Sequence, residues 1–441
     1  MSHIQFIRNL IIETPSKPGN FAKVATAIGV LKGDIGDIQT IKVGTLSTIR
    51  DVSIQCTSEA QLEEIVSAIN AIGEGIHVHA VTDDVLHAHE GGKIAMKSRT
   101  PVRSLGDLRR IYTPGVANVC KVIQNDPVQA DYFTGISNTV AIVTDGTAIL
   151  GLGNIGPVAG MPVMEGKAVL FDQFAGISGI PILLNTSDPD EVVETVKHIH
   201  QSFGGILLED IGSPHCFEIE ERLKAELNIP VMHDDQHGTA VVTLASALSA
   251  CRQSGVELSE SVVGQIGLGA AGLAISRMFM AYGVKEMRGV DPNPEAIERL
   301  KHHGGTALKS VEEIMQTCDI VIATTGVQGL IKPEMVRKGQ IILALSNPNA
   351  EIDPEAALDA GAAFAADGRQ VNNILGFPGI FRGALNAHAK DITYPMLIAG
   401  ALAILDSTKP GDLVPHPLDP AVHENVANAV ERVANEEANS I

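Results

Sequence analysis

The stretch SVVGQIGLGAAGLAISRMF, residues 261–279, decides the fold of the second half of the chain. An apolar strand-like run leads into Gly267-x-Gly269-x-x-Gly272, and a helix-like run follows at once. Glycines in this context allow backbone to approach a pyrophosphate, whose charge the helix N-terminus stabilises. Asp291 ends the next strand-like run, 22 residues after Gly269, where a carboxylate can accept from ribose hydroxyls. The pattern predicts a Rossmann domain that binds a dinucleotide.

The predicted cofactor-binding residues of this loop and strand are Gly267, Gly269, Ala270, Ala271, Gly272 and Asp291. Asp291 favours NAD over NADP because a carboxylate repels a 2′-phosphate. NADP stays open, since Arg288 and Lys285 are close enough in sequence to offset that repulsion. We expect the Rossmann domain over residues 236–385, followed by C-terminal helices over 386–441.

The preceding segment, 93–235, alternates apolar runs with helical stretches, which predicts a second parallel sheet covered on both faces. Its strand-like runs stop at acidic side chains in TVAIVTD (139–145), GGILLED (204–210) and IPVMHDD (229–235). Ligands of open α/β sheets bind beyond the carboxyl ends of the strands, so these carboxylates are expected to converge in one crevice. Oxygen ligands of this kind suit Mg²⁺ or Mn²⁺, and the segments lack the cysteine or paired-histidine pattern of a zinc site.

Residues 1–85 predict a separate small α/β unit with the element order βαββαβ. Gly19, just before the first predicted helix, resembles the strand-to-helix turn of ACT-like regulatory domains, in which the turn and a paired subunit hold a small-molecule effector. A dimerisation unit without any ligand is the alternative, with Gly19 serving only its turn.

Charge and cysteine usage narrow the function classes further. The formal net charge of −20 argues against a nucleic-acid or anionic-membrane partner, because both require a positive field. The five cysteines are odd in number and scattered, which favours a reduced, cytoplasmic chain. Neither a targeting segment nor a run of about 18 apolar residues is found, so we expect a protein without a membrane span.

Eight motifs in consistent order carry a family resemblance between about residues 93 and 407. They are YTPGVA (112–117), VTDGTAILGLGNIGP (143–157), MEGKAVLF (164–171), LEDI (208–211), HDDQHGTA (233–240), GLGAAG (267–272), SNPN (346–349) and NNILGFPGIFRGAL (372–385). Together they resemble the malic enzyme family in its shorter bacterial form. The resemblance implies oxidative decarboxylation of (S)-malate to pyruvate and CO₂, with NAD or NADP, Mg²⁺ or Mn²⁺, and a homodimer or larger homo-oligomer.

The resemblance also implies a role for each matching residue. Glu209, Asp210 and Asp235 would bind the divalent ion, which identifies 93–235 as the substrate and metal domain. Asp234 would support proton transfer.

Further roles follow from the other motifs. Lys167 would be the base that takes the malate hydroxyl proton, and Tyr112 the acid that protonates the enol carbon. Asn347 and Asn373 would hold the substrate, and Asn347 also the nicotinamide end of the cofactor. Outside their motifs, such a lysine or tyrosine is usually a surface residue, and such asparagines usually form turns.

Two expectations concern charge. Lysine is protonated at neutral pH, so we expect burial or nearby positive charge, which the metal ion supplies, to lower the pKa of Lys167. Longer members of the family carry an arginine for a substrate carboxylate where this chain has Ala148. Another cation must bind that substrate carboxylate, and the candidates are Arg103, Arg109, Arg110 or a residue of a partner subunit.

Three alternatives remain open from the sequence. A malolactic enzyme would share the fold and release lactate. An ACT-regulated, amino-acid-type dehydrogenase would not need the paired carboxylates. A metabolite sensor without chemistry would tolerate loss of Lys167, but both acid and base candidates are present.

Overall fold

The computed structural model describes residues 6–149, 151–347 and 349–440. The chain divides into two compact units, Met1–Lys93 and Ile94–Ile441. Among the described residues, helices long and apolar enough to cross a bilayer are absent.

The first unit is an antiparallel sheet covered by helices. Its elements are β1 Phe6–Pro15, α1 Asn20–Val30, β2 Asp34–Val43, β3 Ser47–Cys56, α2 Glu59–Ala71, β4 His77–Thr82 and the short α3 Asp84–His89. The strand order is β2-β3-β1-β4, with the predicted order βαββαβ through β4. Leu10 and Ile12 of β1 pack with Val24 of α1 and Ile65 of α2 in a separate apolar core. Whether the unit belongs to the ACT family stays a prediction.

The second unit begins with three helices and a parallel sheet. The helices are α4 Leu105–Ile111, α5 Val116–Asn125 and α6 Gln129–Phe133. The sheet and its helices are β5 Thr139–Thr144, α7 Pro157–Ala175, β6 Ser178–Leu183, α8 Pro189–Ile199, β7 Gly205–Leu208, α9 His215–Glu226, β8 Val231–His233 and α10 Asp234–Ser254. The order is β6-β5-β7-β8, so the topology switches direction beside β5. Ligand crevices of open sheets form at such a switch.

A six-stranded parallel sheet follows, in the order β11-β10-β9-β12-β13-β14. Its elements are β9 Val262–Ile266, α11 Ala270–Tyr282, β10 Glu286–Val290, α12 Pro294–His302, β11 Thr306–Ala307, α13 Val311–Thr317, β12 Ile320–Ala323, β13 Ile341–Ala344, α14 Pro354–Asp359 and β14 Phe364–Asp367. Counted within this sheet the order is 3-2-1-4-5-6, the Rossmann order. The predicted α/β fold with a Rossmann domain is confirmed.

Three C-terminal helices, α15 Phe377–Asn386, α16 Tyr394–Asp406 and α17 Pro420–Ala438, join the core between the two sheets. Phe171 of α7 meets the edges of Phe377 and Phe381, with ring centroids 5.0 and 5.4 Å apart. The same apolar cluster includes Ile142 of β5 and Ile320 of β12. One continuous core therefore holds both sheets, and it fixes the strand ends that carry the polar side chains.

Candidate active site

Three carboxylates meet at the ends of two neighbouring strands. Glu209 and Asp210 follow β7, while Asp235 lies in the first turn of α10, directly after β8. One oxygen of each side chain lies within 4.8 Å of the other two. Since β7 and β8 pair in parallel, their carboxyl ends meet at the same sheet edge.

Local backbone geometry gives these side chains room to converge. Asp210 has a φ of 55°, a left-handed conformation that aspartate tolerates better than most residues. Helix α10 starts at Asp234, directly after β8, because carboxylates in a first turn are favoured by the helix dipole. Gly238 lies one turn on, where an added Cβ would come 2.0 Å from Asp234 Oδ1.

A buried lysine stands beside the carboxylates. Lys167, on α7 and 8% exposed, has its Nζ 3.1 Å from Glu209 Oε1 and donates a hydrogen bond to Asp234 Oδ2. The same Asp234 oxygen accepts from Asn373 Nδ2 at 2.5 Å, and the Phe377 ring centroid lies 4.5 Å from the ammonium. The structure thus brings together four predicted site residues, Lys167, Glu209, Asp234 and Asn373.

Burial and the carboxylates of this cluster determine the pKa of Lys167 as far as the protein groups are concerned. Burial alone lowers the pKa of Lys167, but the carboxylates of Asp234 and Glu209 outweigh it and hold the pKa above its ordinary value. Burial in turn raises the pKa of Glu209 and of Asp234, against the effect of Lys167. The protein groups by themselves therefore keep Lys167 protonated, because its nearest charged neighbours are anions, and the predicted lowering of its pKa depends on the charge of a bound metal ion.

The residues present fit a divalent cation. Among the described residues, Glu209 Oε2, Asp234 Oδ1 and Asp145 Oδ2 are buried oxygens without a hydrogen-bond partner. Buried anionic oxygens in that state are unfavourable unless a cation compensates them. An all-oxygen donor set suits Mg²⁺ or Mn²⁺.

Asp145 is a site candidate to which the sequence reasoning assigned no role. It follows β5, is buried, and accepts from Thr147 N at 3.0 Å and Thr147 Oγ1 at 2.7 Å through Oδ1. Thr147 Oγ1 in turn accepts from Gly212 N at 2.8 Å, which ties the β5 loop to the segment after Asp210. The signal in the sequence was the strand-ending TVAIVTD, the same pattern that singled out Glu209 and Asp210.

The glycine-rich loop between β9 and α11 has the geometry of a phosphate cradle. Gly267 has a φ of 88°, which favours glycine. A Cβ on Gly272 would lie 1.9 Å from the Gly267 carbonyl oxygen, whereas a Cβ on Gly269 would meet no heavy atom within 4 Å. Open space therefore faces Gly269 at the start of α11, whose first residues are Ala270 and Ala271. The residues fit a dinucleotide pyrophosphate at this helix N-terminus.

Asp291 lies at the end of β10, beside this loop. Its carboxylate accepts from Leu268 N and from Asn293 N, both at 2.7 Å. Arg288, one of the cations considered for a 2′-phosphate, is engaged with Glu286 at 2.6 Å. This arrangement favours ribose hydroxyls over a phosphate at Asp291.

In the part of the chain that the structure describes, the remaining predicted side chains form no hydrogen bond or ion pair with Lys167, whose partners are Glu209 and Asp234. Asn347 Nδ2 donates to Gly368 O at 3.1 Å, after β13 in the Rossmann sheet, and Pro348 of the same motif lies outside the described residues. Tyr112 ends α4 with 66% of its surface exposed, and among the described residues it has no hydrogen bond to Lys167. The candidate substrate cations Arg103, Arg109 and Arg110 are also exposed, and Arg110 pairs with Asp107.

A buried contact between a glutamate and a histidine supports the start of α10. Glu220 of α9 accepts from His233 N at 2.8 Å and lies 3.0 Å from His237 Nε2, while His233 Nε2 lies 3.2 Å from Ile211 O. Burial raises the pKa of Glu220, but His237 outweighs it and lowers the pKa from 4.5 to about 2. The pair thus anchors the residues on both sides of Asp234 and Asp235.

Replacing Glu220 by glutamine is expected to lower the free energy of unfolding by about 3 kcal/mol at pH 7, since about 1.4 kcal/mol accompanies each pKa unit. A depressed pKa means that this stability is present above pH 4.5 and is lost as the pH falls through about 2. Urea unfolding at several pH values checks this, with the exposed Glu218→Gln on the same helix as control. Equal stability of Glu220→Gln and wild type at pH 7 would contradict the role of this pair.

Comparisons with known proteins agree with this architecture. Residues 92–224 match the family model described as malic enzyme, N-terminal domain, and residues 231–332 match the one described as D-isomer specific 2-hydroxyacid dehydrogenase, NAD binding domain. The chain is 68% identical over 428 residues to NAD-dependent malic enzyme 1 of Bacillus subtilis, covering 97% of this chain and 98% of the relative. It is 45% identical over 386 residues to the bifunctional malic/malolactic enzyme of Bacillus subtilis, covering 81% and 94%.

A solved structure shows the same fold. The malic enzyme from Pyrococcus horikoshii superposes with a TM-score of 0.77 at 41% sequence identity, covering 80% of this chain and 90% of that chain. A relative that is 68% identical along nearly the whole length, together with the match at residues 92–224, shows the family directly. With two parallel sheets, a glycine-rich dinucleotide loop and a carboxylate cluster beside a buried lysine, this chain belongs to the malic enzyme family.

Proposed function

We propose that this chain catalyses the oxidative decarboxylation of (S)-malate to pyruvate and CO₂ with reduction of NAD. The observation that carries the proposal is the contact of Lys167 with Glu209 and Asp234 beside the carboxylates of Asp210 and Asp235. A proton acceptor next to a divalent-metal site is what oxidation of a 2-hydroxy acid requires. The 68% identical relative is named an NAD-dependent malic enzyme, which supports both the reaction and the cofactor.

Glu209, Asp210 and Asp235 would hold the divalent ion, which when bound polarises the malate hydroxyl and, later, the ketone oxygen. Lys167 Nζ would take the hydroxyl proton, and bound NAD would supply the hydride acceptor for C2 of malate. Lys167 must first lose its own proton; the positive charge of a bound divalent ion would lower the pKa of Lys167, and Asp234 Oδ2, its hydrogen-bond partner, would accept that proton. Asn373 donates to the same oxygen and holds it in place.

After loss of CO₂, a proton must reach C3 of the enol. We propose the hydroxyl of Tyr112 as its source, with Asn347 and Asn373 holding the substrate and the nicotinamide end. Tyr112 is exposed at the end of α4, and we propose that movement of the segment before β5, or a second copy of the chain, covers it and completes the site. We accordingly propose a homodimer or larger homo-oligomer, which light scattering of the purified protein tests.

Two of the three glycines of the dinucleotide loop, Gly269 and Gly272, have separable expected effects. Gly272→Ala places a Cβ against backbone and is expected to destabilise the protein by about 1–3 kcal/mol. Gly269→Ala meets no protein atom, so it should fold normally but bind NAD at least about 10-fold more weakly, because the Cβ enters the space of the pyrophosphate. Thermal unfolding and NADH fluorescence titration separate the two. Unchanged NADH affinity in Gly269→Ala would place the pyrophosphate elsewhere.

The reaction is tested by a spectrophotometric assay with malate, Mn²⁺ and either NAD or NADP. We expect free NADH and pyruvate, faster with NAD, and loss of turnover with EDTA. The 45% identical bifunctional relative keeps the malolactic reaction as a second candidate. Lactate without free NADH would favour that reaction, and turnover unaffected by EDTA would favour a dehydrogenase that needs no metal.

We propose the domain limits 1–85, 93–235, 236–385 and 386–441, and a cytoplasmic location consistent with five free cysteines.

The first domain would be ACT-like and regulatory. A cavity of about 420 Å³ at its Gly19 turn supports a small-molecule effector there. Phe21 and Arg50 line the cavity, with the guanidinium 5.0 Å from the ring centroid. Binding of amino acids or other small acids to the full chain, and its loss in Arg50→Ala, tests this role.

A further inference from the structure

The outer face of the sheet in the first unit carries two histidines and a glutamate in contact. Residues alternate between the faces of a strand, so His77 and His79 of β4 point to the same side. Glu13 pairs opposite His77 on the neighbouring antiparallel strand β1. The pairing shifts register between Ile11 and Ile12, which leaves His79 as the extra residue of a bulge beside Glu13. Strand geometry alone therefore gathers the three side chains.

The distances fit metal ligation. Glu13 Oε2 lies 3.4 Å from His77 Nε2 and 2.7 Å from His79 Nε2. One ligand atom from each of the three residues lies within 4.8 Å of the others. A tetrahedral zinc ion with bonds of about 2.0–2.1 Å sets its ligand atoms about 3.3 Å apart. The His77 separation already matches this value, and the His79 contact needs to open by only about 0.6 Å.

The surroundings resemble those of a site with an open coordination position. Glu13 has 24% of its side chain exposed, against 47% for His77 and 40% for His79, so the ligand atoms are accessible to an ion and to water. The Ser47 hydroxyl hydrogen-bonds Glu13 and, together with His79, lowers the pKa of that carboxyl. A hydroxyl that orients a ligating carboxylate is a usual supporting contact of metal sites.

We propose that Glu13, His77 and His79 form a second metal site, specific for zinc or a similar divalent transition ion, in the first unit of the chain. Two imidazoles and one carboxylate, with water as the fourth ligand, are a common donor set for Zn²⁺. Nitrogen ligands select against Mg²⁺, which prefers oxygen. The site therefore differs in metal preference from the all-oxygen cluster at Glu209, Asp210 and Asp235.

Co²⁺ is the probe, because its tetrahedral complexes absorb visible light. The full-length protein is titrated with Co²⁺ in excess Mg²⁺, so that the carboxylate cluster is occupied by Mg²⁺. We expect one tetrahedral Co²⁺ per chain, displaced by Zn²⁺. Glu13→Gln and His79→Asn should each weaken Co²⁺ binding by at least about 10-fold, since loss even of a supporting contact costs that much.

Two matched controls separate this site from incidental binding. His87 forms an exposed pair with Glu90 at 3.1 Å in the same unit but lacks a third ligand, so His87→Asn should leave Co²⁺ binding unchanged. Cys120 is an exposed thiol, and Cys120→Ser should likewise change nothing. If the wild type binds no Co²⁺ in excess Mg²⁺, or if either control removes the binding while His79→Asn keeps it, the proposal is wrong. Malate turnover in Mg²⁺ should be the same in His79→Asn and wild type.

Discussion

Replacing Lys167 by alanine is expected to lower kcat for malate-dependent NAD reduction by about 100- to 10,000-fold, the usual contribution of a positioned general base. The Lys167 amine contacts both Glu209 and Asp234. The measurement is steady-state turnover with saturating malate, NAD and Mn²⁺. Lys197, a half-buried lysine paired with Glu194 and Glu226, provides the control, and Lys197→Ala should keep wild-type turnover.

A second substitution separates charge from proton transfer. Lys167→Arg retains a cation beside Glu209 and Asp234, but a guanidinium stays protonated at any working pH. We expect it to fold and bind Mn²⁺ while losing turnover as severely as the alanine variant. Turnover within about 10-fold of wild type in Lys167→Arg would contradict the assignment of Lys167 as the base.

Replacing Asp235 by asparagine is expected to weaken Mn²⁺ binding by at least about 100-fold, since loss even of a supporting contact costs 10- to 100-fold. The variant removes one of the three charges that lie within 4.8 Å of one another. At a Mn²⁺ concentration of about 100 times the wild-type Kd, the ion stabilises the wild type by about 2.7 kcal/mol and the variant by only about 0.4 kcal/mol. Mn²⁺-dependent unfolding and the electron paramagnetic resonance signal of free Mn²⁺ both report this difference.

The control for Asp235 is Asp190→Asn, which changes a surface aspartate paired with Arg222. Its Mn²⁺ affinity should equal that of the wild type. If Asp235→Asn bound Mn²⁺ within about threefold of wild type, the ion would have to lie elsewhere in the cluster, with Asp145 and its partner-free Oδ2 as the next ligand to test.

The dinucleotide domain was predictable from local patterns. Gly267 has a positive φ, and any side chain at Gly272 would clash with the Gly267 carbonyl. Both constraints involve residues that are close together in the chain. The carboxylates at the strand ends were likewise predictable from the sequence, because a buried strand cannot continue through acidic side chains. The roles of Lys167, Tyr112 and the asparagines came instead from family motifs, and they stay predictions.

Only the tertiary structure determines which side chains these residues contact. Lys167 and Asn373 reach Asp234 across 67 and 139 positions of sequence, so their contact depends on strand order and helix packing, which no local pattern encodes. The same holds for the raised pKa of Lys167, which is set by carboxylates from other elements. The contact of Glu220 with His237 and the pairing of Glu13 with His77 likewise depend on how separate elements pack together. Sequence by itself determined the fold class and the ends of the strands, because turns and periodicity act between near neighbours. Charge and proton affinity at the site depend on distances through space, and only the packed chain sets those.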